Sequence, residues 1–289
     1  MMRIAISGAT SYLGRKVTPL LVERGAGVVP ITRSSTNLAL LGRHAEHAFA
    51  WSDGTFPRSD VLLIMGTLFS GQTLPGQASQ LVEANVLWPV QVAQAFLAQG
   101  GRKIVAAGTC WEQIGSPPHP PNSYAASKLA ARTLLEALCN EHGAALSWLC
   151  LADTFGLDDP RTKIFSLLRG AIQSNQRLAM TDGRQVFDPL AALAAADALA
   201  TACLMPAERV RGVWGISGDE PSTLRGKVER YCELVRRACP VDWGAKSYRF
   251  GEPFEVVWQP APDWWAGAGS FDASIQAMES QPGGLLHGV

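Results

Sequence analysis

The sequence predicts a doubly wound α/β fold: a parallel sheet covered by helices, followed by a smaller, irregular lobe. Short apolar runs alternate with segments of helical periodicity through the first half of the chain. These runs are apolar throughout, as in VLLIMG at 61–66, which is typical of parallel strands covered on both faces. A glycine-containing turn directly follows the first run. Together these observations favour alternating strands and helices around one open sheet.

The predicted elements follow the alternation in order. Pro89 interrupts one helical segment and is expected to kink it, because proline removes a backbone donor and clashes with the preceding turn. The proline-rich stretch SPPHPPN at 116–122 is predicted to be a loop between a strand and the next helix. The expected elements are strand 3–7, a helix after Gly14, strand 27–32, strand 61–66, helix 80–98, strand 103–107, helix 123–141 and strand 145–151.

Composition and charge indicate small-molecule partners. The 289 residues carry 25 Lys and Arg against 25 Asp and Glu, with no run of like charge that would attract nucleic acid or a membrane surface. Six cysteines show no CxxC pair, so we expect reduced thiols. No leader segment is expected before the first strand, which predicts a cytoplasmic protein. No metal site is expected, since His44 and His47 have no third ligand nearby.

The stretch GATSYLG at 8–14 is the first candidate binding motif. A strand, a glycine turn and a helix together direct free backbone N–H groups and the helix dipole at an anionic pyrophosphate. Ser11 occupies the position where a second glycine would allow close approach, so its Cβ displaces the cofactor slightly or its hydroxyl replaces a contact. The candidate contacts in this turn are Gly8, Thr10, Ser11, Tyr12, Leu13 and Gly14.

Three further residues are candidates for proton transfer. Tyr124 and Lys128 are spaced i, i+4 and share one helical face. A lysine ammonium can lower the pKa of a tyrosine, which is ordinarily near 10. The pair could equally be a surface Tyr and Lys on an amphipathic helix. Thr109 follows an apolar strand, and the carboxyl ends of parallel strands meet at one crevice, which favours the catalytic interpretation.

With these residues in order, the chain resembles the extended short-chain dehydrogenase/reductase family, in its nucleotide-sugar epimerase, dehydratase and reductase branch. The resemblance covers most of the chain and implies a Rossmann-type fold. The motifs that carry it are GATSYLG, Asn85, Gly108-Thr109, Tyr124 with Lys128, DTFGLDDPRTK at 153–163, Gly183-x-Gln185-x-x-Asp188, GVWGISGDEPSTL at 212–224, and Tyr248-Arg249-x-Gly251-Glu252.

The resemblance implies a role for each candidate. Tyr124 would exchange a proton with the substrate oxygen, Lys128 would hold the nicotinamide ribose, and Thr109 would hydrogen-bond the reacting oxygen. Residues 1–156 would form the dinucleotide-binding domain, to which 187–217 return, and 157–289 would form mainly the substrate lobe. Further implied cofactor contacts are Gly66, Asn85, Arg33 and Ser34. Implied substrate contacts are Thr67, Cys110, Trp111, Asp153, Arg161 and Lys163, the last two alternatively being solvated loop charges.

Departures from the family pattern narrow the expected activity. Cys110 and Trp111 stand where the dehydratases of this branch carry adjacent Asp and Glu, so dehydration is not expected. Cys150, Phe187 and the alanines of 191–196 replace charged residues of the pattern, which weakens the prediction of a sugar-nucleotide substrate. Three hypotheses remain: an NADP(H)-dependent oxidoreductase that reduces a keto-sugar nucleotide or similar carbonyl, an epimerase that retains its cofactor, and a non-catalytic nucleotide-binding protein.

The end of the second strand indicates the cofactor. An NAD enzyme places Asp or Glu about twenty residues past the glycine turn, to accept from the ribose 2′-hydroxyl. Here the sequence reads Thr32-Arg33-Ser34-Ser35, which suits the 2′-phosphate of NADP(H), with Arg15 as a second positive group. NAD(H) remains possible, and both arginines could be ordinary surface charges.

The helices at 80–98 and 123–141 predict an assembly. They carry apolar residues on more than one face, including Leu129, Leu134, Leu135 and Leu138. Related enzymes commonly pair such helices, so a two-fold homodimer is expected.

Overall fold

The computed structural model describes residues 1–32, 39–42, 49–50, 56–69, 76–249 and 251–287. The strands of the described residues are β1 Arg3–Ser7, β2 Gly27–Thr32, β3 Phe49–Ala50, β4 Val61–Ile64, β5 Lys103–Thr109, β6 Ala145–Leu151, β7 Thr154–Phe155, β8 Leu178–Ala179, β9 Val186–Phe187, β10 Leu190–Ala191, β11 Gly212–Ile216, β12 Ser222–Thr223 and β13 Val241–Asp242. Seven of them form the central parallel sheet, in the order β3-β2-β1-β4-β5-β6-β11.

Helices cover both faces of this sheet. A π-helical turn, Glu83–Leu87, joins α2 to α3, and a short 3₁₀ turn, Cys110–Glu112, follows β5. The α-helices are α1 Gly14–Glu23, α2 Gln77–Val82, α3 Trp88–Ala98, α4 Ser123–Glu141, α5 Ile164–Ser174, α6 Ala192–Leu204, α7 Ala207–Val210, α8 Leu224–Leu234 and α9 Phe271–Glu279.

The two faces of the sheet bury separate apolar cores. Ile4 and Ile6 of β1 pack in a cluster with residues of α1 and α6, whereas Ala5 between them packs in a cluster with residues of α3 and α4. Successive residues of a strand point to opposite faces, so a strand buried on both sides must be apolar throughout. Each large side chain buried here, such as Phe96, contributes about 1.5–3 kcal/mol. The predicted doubly wound fold is confirmed.

Pro89 does not end its helix. The predicted helix 80–98 begins earlier, at Gln77, and continues to Ala98 through the π-helical turn just before Pro89. Pro89 closely follows the π-helical turn, so the regular α-helical pattern is interrupted at this proline, as expected for a residue without a backbone donor. The run Gln77–Ala98 is long and apolar enough to cross a membrane, but a single such helix is weak evidence. In this fold Val92 and Phe96 lie fully buried in the core.

Two of the main strands, β4 and β5, end at different residues from those predicted. The strand expected at 61–66 ends at Ile64, and the strand expected at 103–107 continues to Thr109 because it pairs with β6 along its whole length. The stretch 116–122 is mostly irregular, as predicted, with only an isolated bridge between Ile114 and His119.

Residues after β6 build a second, smaller core. Three two-stranded pairs, β7 with β10, β9 with β12 and β8 with β13, accompany α5, α8 and α9. The core is aromatic: the ring centroid of Phe165 lies 5.1 Å from that of Phe155 and 5.2 Å from that of Tyr231. By contrast, β11 pairs with β6 and so extends the main sheet. The helix α6 packs on α1 and so belongs to the layer that covers this sheet. The site lies where the carboxyl ends of the main strands face this smaller core.

Candidate active site

The glycine turn leaves two backbone donors free at the start of α1. Within the described part of the chain, the N–H groups of Tyr12 and Leu13 have no acceptor. Both residues line a cavity at the carboxyl ends of the main strands, which we call the main cavity. Ser11 Oγ accepts from Gly14 N at 3.1 Å, so the serine hydroxyl caps the first turn of the helix. Free N–H groups at a helix N-terminus fit the pyrophosphate of a dinucleotide.

Close packing explains the glycines at this end of the sheet. Gly8 has φ +93°, and a Cβ there would lie 2.3 Å from Gly66 N. A Cβ on Gly14 would lie 2.2 Å from the carbonyl oxygen of Gly8. Of the predicted turn contacts, Gly8, Thr10 and Gly14 do not themselves line the main cavity. The turn therefore depends on Gly8 and Gly14 for its shape, while Ser11, Tyr12 and Leu13 face the cavity.

Asn85 does not line the cavity but forms hydrogen bonds with the loop after β4. Its side chain is fully buried in the π-helical turn. Asn85 Oδ1 accepts from Thr67 Oγ1 at 3.0 Å and from Leu68 N at 2.7 Å. Asn85 Nδ2 donates to Ser127 Oγ at 2.9 Å, which connects this loop to the helix that carries Tyr124. Asn85 thus fixes Thr67, which does line the cavity.

A cavity of about 340 Å³ brings most predicted site residues together. It extends from the glycine turn across the ends of β4, β5 and β6 to the loop before α5. A cleft at the carboxyl ends of parallel strands is the expected ligand site of such a sheet. The predicted residues that line it are Ser11, Tyr12, Leu13, Thr67, Thr109, Trp111, Tyr124, Lys128, Asp153, Arg161 and Lys163.

Tyr124 is a neutral phenol in this environment. Its ring meets Phe69 edge to face at 5.0 Å between centroids, and only 8% of the residue is exposed. Burial raises the pKa of Tyr124, and the carboxylates of Asp153 and Glu112 raise it further. The lowering expected from Lys128 therefore does not prevail, because removal of solvent outweighs it. A protonated tyrosine can donate a hydrogen bond to a carbonyl oxygen.

Lys128 lies beneath the cavity with its ammonium nearly enclosed. Its Nζ is 5.3 Å from the centroid of the Trp148 ring, and 4% of the residue is exposed. Burial lowers the pKa of Lys128 to about 8, partly opposed by Glu112 and Cys150. The ammonium form is thus still favoured at neutral pH, where it can donate to a ribose hydroxyl.

The side chains of the turn after β5 line two different spaces. Trp111 lines the main cavity, Thr109 lines both this cavity and a separate small space, and Cys110 and Glu112 line only the small space. Thr109 Oγ1 also accepts from Trp111 N at 3.3 Å. The structure therefore does not bring Cys110 to the predicted substrate side, because the turn begins immediately after Thr109. Glu112 was not predicted from the sequence.

Both predicted basic substrate contacts are held by carboxylates. Arg161 Nε donates to Asp159 Oδ1 at 2.7 Å, and its Nη2 donates to Thr154 Oγ1 at 2.8 Å. Lys163 Nζ lies 2.9 Å from Asp153 Oδ1. Both cations line the cavity with a carboxylate partner each.

A second cavity of about 230 Å³ continues from the first. Phe69, Trp111, Thr154 and Lys163 line both spaces. The sequence analysis named several residues of the second wall within its motifs but assigned none of them to the site, because they come from distant parts of the chain. Those residues include Phe165, Gln185, Phe187, Leu224, Arg249 and Glu252.

Some predicted residues lie outside the described part of the chain. Arg33 and Ser34, the expected contacts of the 2′-phosphate, are among them, as are His44 and His47. The described residues contain no group of three His, Cys, Asp or Glu side chains that could hold a metal ion.

Comparison with known proteins shows which family the chain belongs to. Residues 4–216 match the model of the NAD dependent epimerase/dehydratase family. The chain is 25% identical over 192 residues to CDP-abequose synthase from Yersinia pseudotuberculosis, which covers 64% of this chain and 67% of that protein.

Solved structures show the same fold at low identity. UDP-glucose 4-epimerase from Thermotoga maritima, determined with UDP-glucose, superposes with a TM-score of 0.82 at 16% identity, covering 96% of this chain and 97% of the other. UDP-glucuronic acid 4-epimerase from Bacillus cereus, determined with UDP-glucuronic acid and NAD, gives 0.78 at 17% identity, covering 96% and 98%. The chain therefore belongs to the NAD dependent epimerase/dehydratase family, an enzyme family of the extended short-chain dehydrogenase/reductase type.

Proposed function

We propose that this enzyme is an NADP(H)-dependent reductase of a keto group on a nucleotide-linked sugar or a similar carbonyl compound. One observation carries the proposal. Thr109, Tyr124 and Lys128 share a cavity with the free N–H groups of the glycine turn, and Tyr124 is protonated there. A proton donor beside a dinucleotide cradle is what carbonyl reduction requires.

Each residue has a separate task in this proposal. The N–H groups of Tyr12 and Leu13 bind the pyrophosphate, and the Lys128 ammonium binds the nicotinamide ribose. The bound nicotinamide supplies hydride chemistry. Tyr124 delivers its phenolic proton to the carbonyl oxygen as that oxygen becomes an alkoxide, and Thr109 Oγ1 donates a hydrogen bond to the same atom. Arg161 and Lys163 contact the anionic part of the substrate.

The position of Glu112 supports reduction rather than elimination. Its carboxylate is the nearest acidic group after Thr109, but it lines the far side of the turn and is 1% exposed. No acid from this turn therefore faces the sugar. The relationship to CDP-abequose synthase supports a nucleotide-linked sugar as substrate, and the second cavity provides room for one.

An epimerase that retains its cofactor is the second candidate, favoured by the solved structures of similar fold. The test has two parts. Nucleotide-linked 4-keto sugars are added to the purified enzyme with NADPH, and absorbance at the reduced nicotinamide band is followed. The purified enzyme is also denatured and assayed for released nucleotide. Net NADPH consumption without tightly held nucleotide supports reduction. Retained nucleotide with no net consumption supports epimerisation, and neither result would favour a non-catalytic role.

We propose NADP(H) as the preferred cofactor. Arg15 lies in the first turn of α1, and its buried Nε has no hydrogen-bond acceptor among the described residues. A charged hydrogen bond contributes about 1.5–3 kcal/mol, or roughly ten- to a hundred-fold in affinity. Arg33→Ala should weaken NADPH binding by that factor and leave NADH binding nearly unchanged, as titration of both cofactors against both proteins will show. Equal affinity of the wild-type enzyme for NADH and NADPH would refute the preference.

We also propose that the enzyme is a homodimer through the helical run Gln77–Ala98 and α4. Val82, Leu87 and Leu134 on these helices are 54%, 48% and 45% exposed, whereas Leu135 is fully buried in the core. Exposed apolar residues on adjacent helices are typical of an interface. Light scattering at micromolar concentration should give twice the 30.9 kDa chain mass. A monomeric mass would rule the dimer out.

A further inference from the structure

A buried carboxylate lies directly behind the proposed catalytic residues. Glu112 accepts from Thr109 N at 2.9 Å and from Trp148 Nε1 at 3.1 Å, and it forms an ion pair with Arg132 at 3.2 Å. Three different elements, β5, β6 and α4, therefore direct donors at one side chain. The reduction proposed above assigns Glu112 no role, although a buried charge is costly unless it is this well paired.

The first consequence concerns the backbone at Thr109. The bond from Thr109 N and the bond from Trp111 N to Thr109 Oγ1 hold the start of the turn from both sides. Gly108 makes this approach possible. A Cβ at that position would lie 2.1 Å from Trp148 Nε1 and 2.7 Å from Glu112 Oε1. The glycine, the tryptophan and the carboxylate together orient Thr109 toward the cavity.

The second consequence concerns charge. Among the described residues, the titratable groups that act on Lys128 are Glu112 and the Cys150 thiol of β6. Burial raises the pKa of Cys150, so that thiol is neutral at neutral pH. Burial raises the pKa of Glu112, and the groups that face it oppose this rise: the Thr109 N–H, Arg132 and Lys128 of α4, and the Trp148 indole. Lys128 Nζ lies 5.3 Å from the centroid of the Trp148 ring, and the Nε1 of that ring donates to Glu112. The carboxylate that pairs with Arg132 therefore also lies beside the Lys128 ammonium, at the N–H edge of the same indole.

We propose that Glu112 is a positioning residue of this active site, whose carboxylate orients Thr109 and supplies the countercharge of the Lys128 ammonium. The role extends the proposed function, because it rests on the tasks assigned there to Thr109 and Lys128. Glu112 itself touches neither cofactor nor substrate, and it acts through the two residues that do.

The test measures the titration of Lys128 without any substrate. The full chain is labelled with acetic anhydride across neutral and alkaline pH, and acetylation of the Lys128 peptide is quantified by mass spectrometry. The wild-type midpoint should be about 8. Glu112→Gln keeps the size and an acceptor for Thr109 N but removes the charge, so the midpoint should fall by about one pH unit or more. In the pH profile of NADPH oxidation, the loss of rate at alkaline pH should also shift to lower pH in this variant.

The matched control is Glu136→Gln. Glu136 is the other carboxylate beside Arg132, at 3.7 Å, but its side chain is 44% exposed. Its removal should leave the Lys128 midpoint unchanged. An unchanged midpoint in folded Glu112→Gln would overturn the proposal. If that variant does not fold, the wild-type midpoint tests the proposal. A buried lysine without a countercharge titrates at about 6 or below, so a wild-type midpoint in that range would overturn the proposal. A shifted midpoint in an enzyme that reduces no keto sugar would leave this proposal standing and reject the proposed function.

Discussion

Tyr124→Phe should lower the turnover of NADPH with a carbonyl substrate by about 10²- to 10⁴-fold, because it removes the proton donor. The ring that remains keeps its edge-to-face contact with Phe69, 5.0 Å away, so the cavity wall is preserved. Affinity for NADPH, measured by quenching of tryptophan fluorescence, should be nearly unchanged. The change then appears in kcat and not in cofactor binding.

Tyr248→Phe is the matched control. It is one of the four tyrosines of the chain, and its hydroxyl accepts from Arg184 N at 3.0 Å. Its ring packs on Phe254 and lines neither of the two cavities of the site. Its removal should leave turnover unaltered. Loss of NADPH binding in parallel with turnover in Tyr124→Phe would instead assign that tyrosine a structural role.

Glu279→Ala should destabilise the protein by about 3–5 kcal/mol, because it leaves a buried guanidinium without its partner. Glu279 ends α9 and is fully buried. Its carboxylate accepts from Arg169 Nη2 at 2.8 Å, from the Tyr231 hydroxyl at 2.9 Å and from Leu285 N at 2.7 Å. Three helices of the smaller core, α5, α8 and α9, meet at this one side chain. Urea unfolding followed by circular dichroism measures the loss.

Asp272→Ala provides the comparison on the same helix. Asp272 also pairs with an arginine, Arg230, but both side chains are largely in solvent, at 40% and 47% exposure. Exposed ion pairs contribute little because water and salt screen them. Its removal should shift the urea midpoint far less than the change at Glu279. Equal shifts for the two variants would show that the buried network does not hold the smaller core together.

Local patterns predicted five of the seven strands of the main sheet, whereas β3 and β11 were not predicted as strands. The bounds of β1, β2, α4 and β6 agree with the sequence expectation, because each strand is mostly apolar and α4 begins at an Asn122 cap. The extent of β5 depended on its pairing with β6, which is not visible in either segment alone. The short strands of the smaller core were not predicted, because two residues carry no periodicity.

The site was predictable where spacing carries the signal and not where tertiary contacts do. Tyr124 and Lys128 share a helical face, so the spacing alone brought them together. That Thr109 lines the main cavity and Cys110 does not depends on where the turn after β5 begins. The pairing of Arg161 with Asp159 and the convergence of Arg132 and Trp148 on Glu112 require the folded chain. Burial also reversed the expected direction of the Tyr124 pKa, an effect that spacing does not report.

Transfer of deuterium from labelled NADPH tests the central claim most directly. The enzyme is mixed with NADPH deuterated at the transferring position of the nicotinamide and with a nucleotide-linked 4-keto sugar, and the sugar product is analysed by mass spectrometry. Reduction predicts a product alcohol that carries one deuterium on the former carbonyl carbon, with one NADP⁺ formed for each product molecule. A product without deuterium, or one formed with no NADP⁺, would contradict the account.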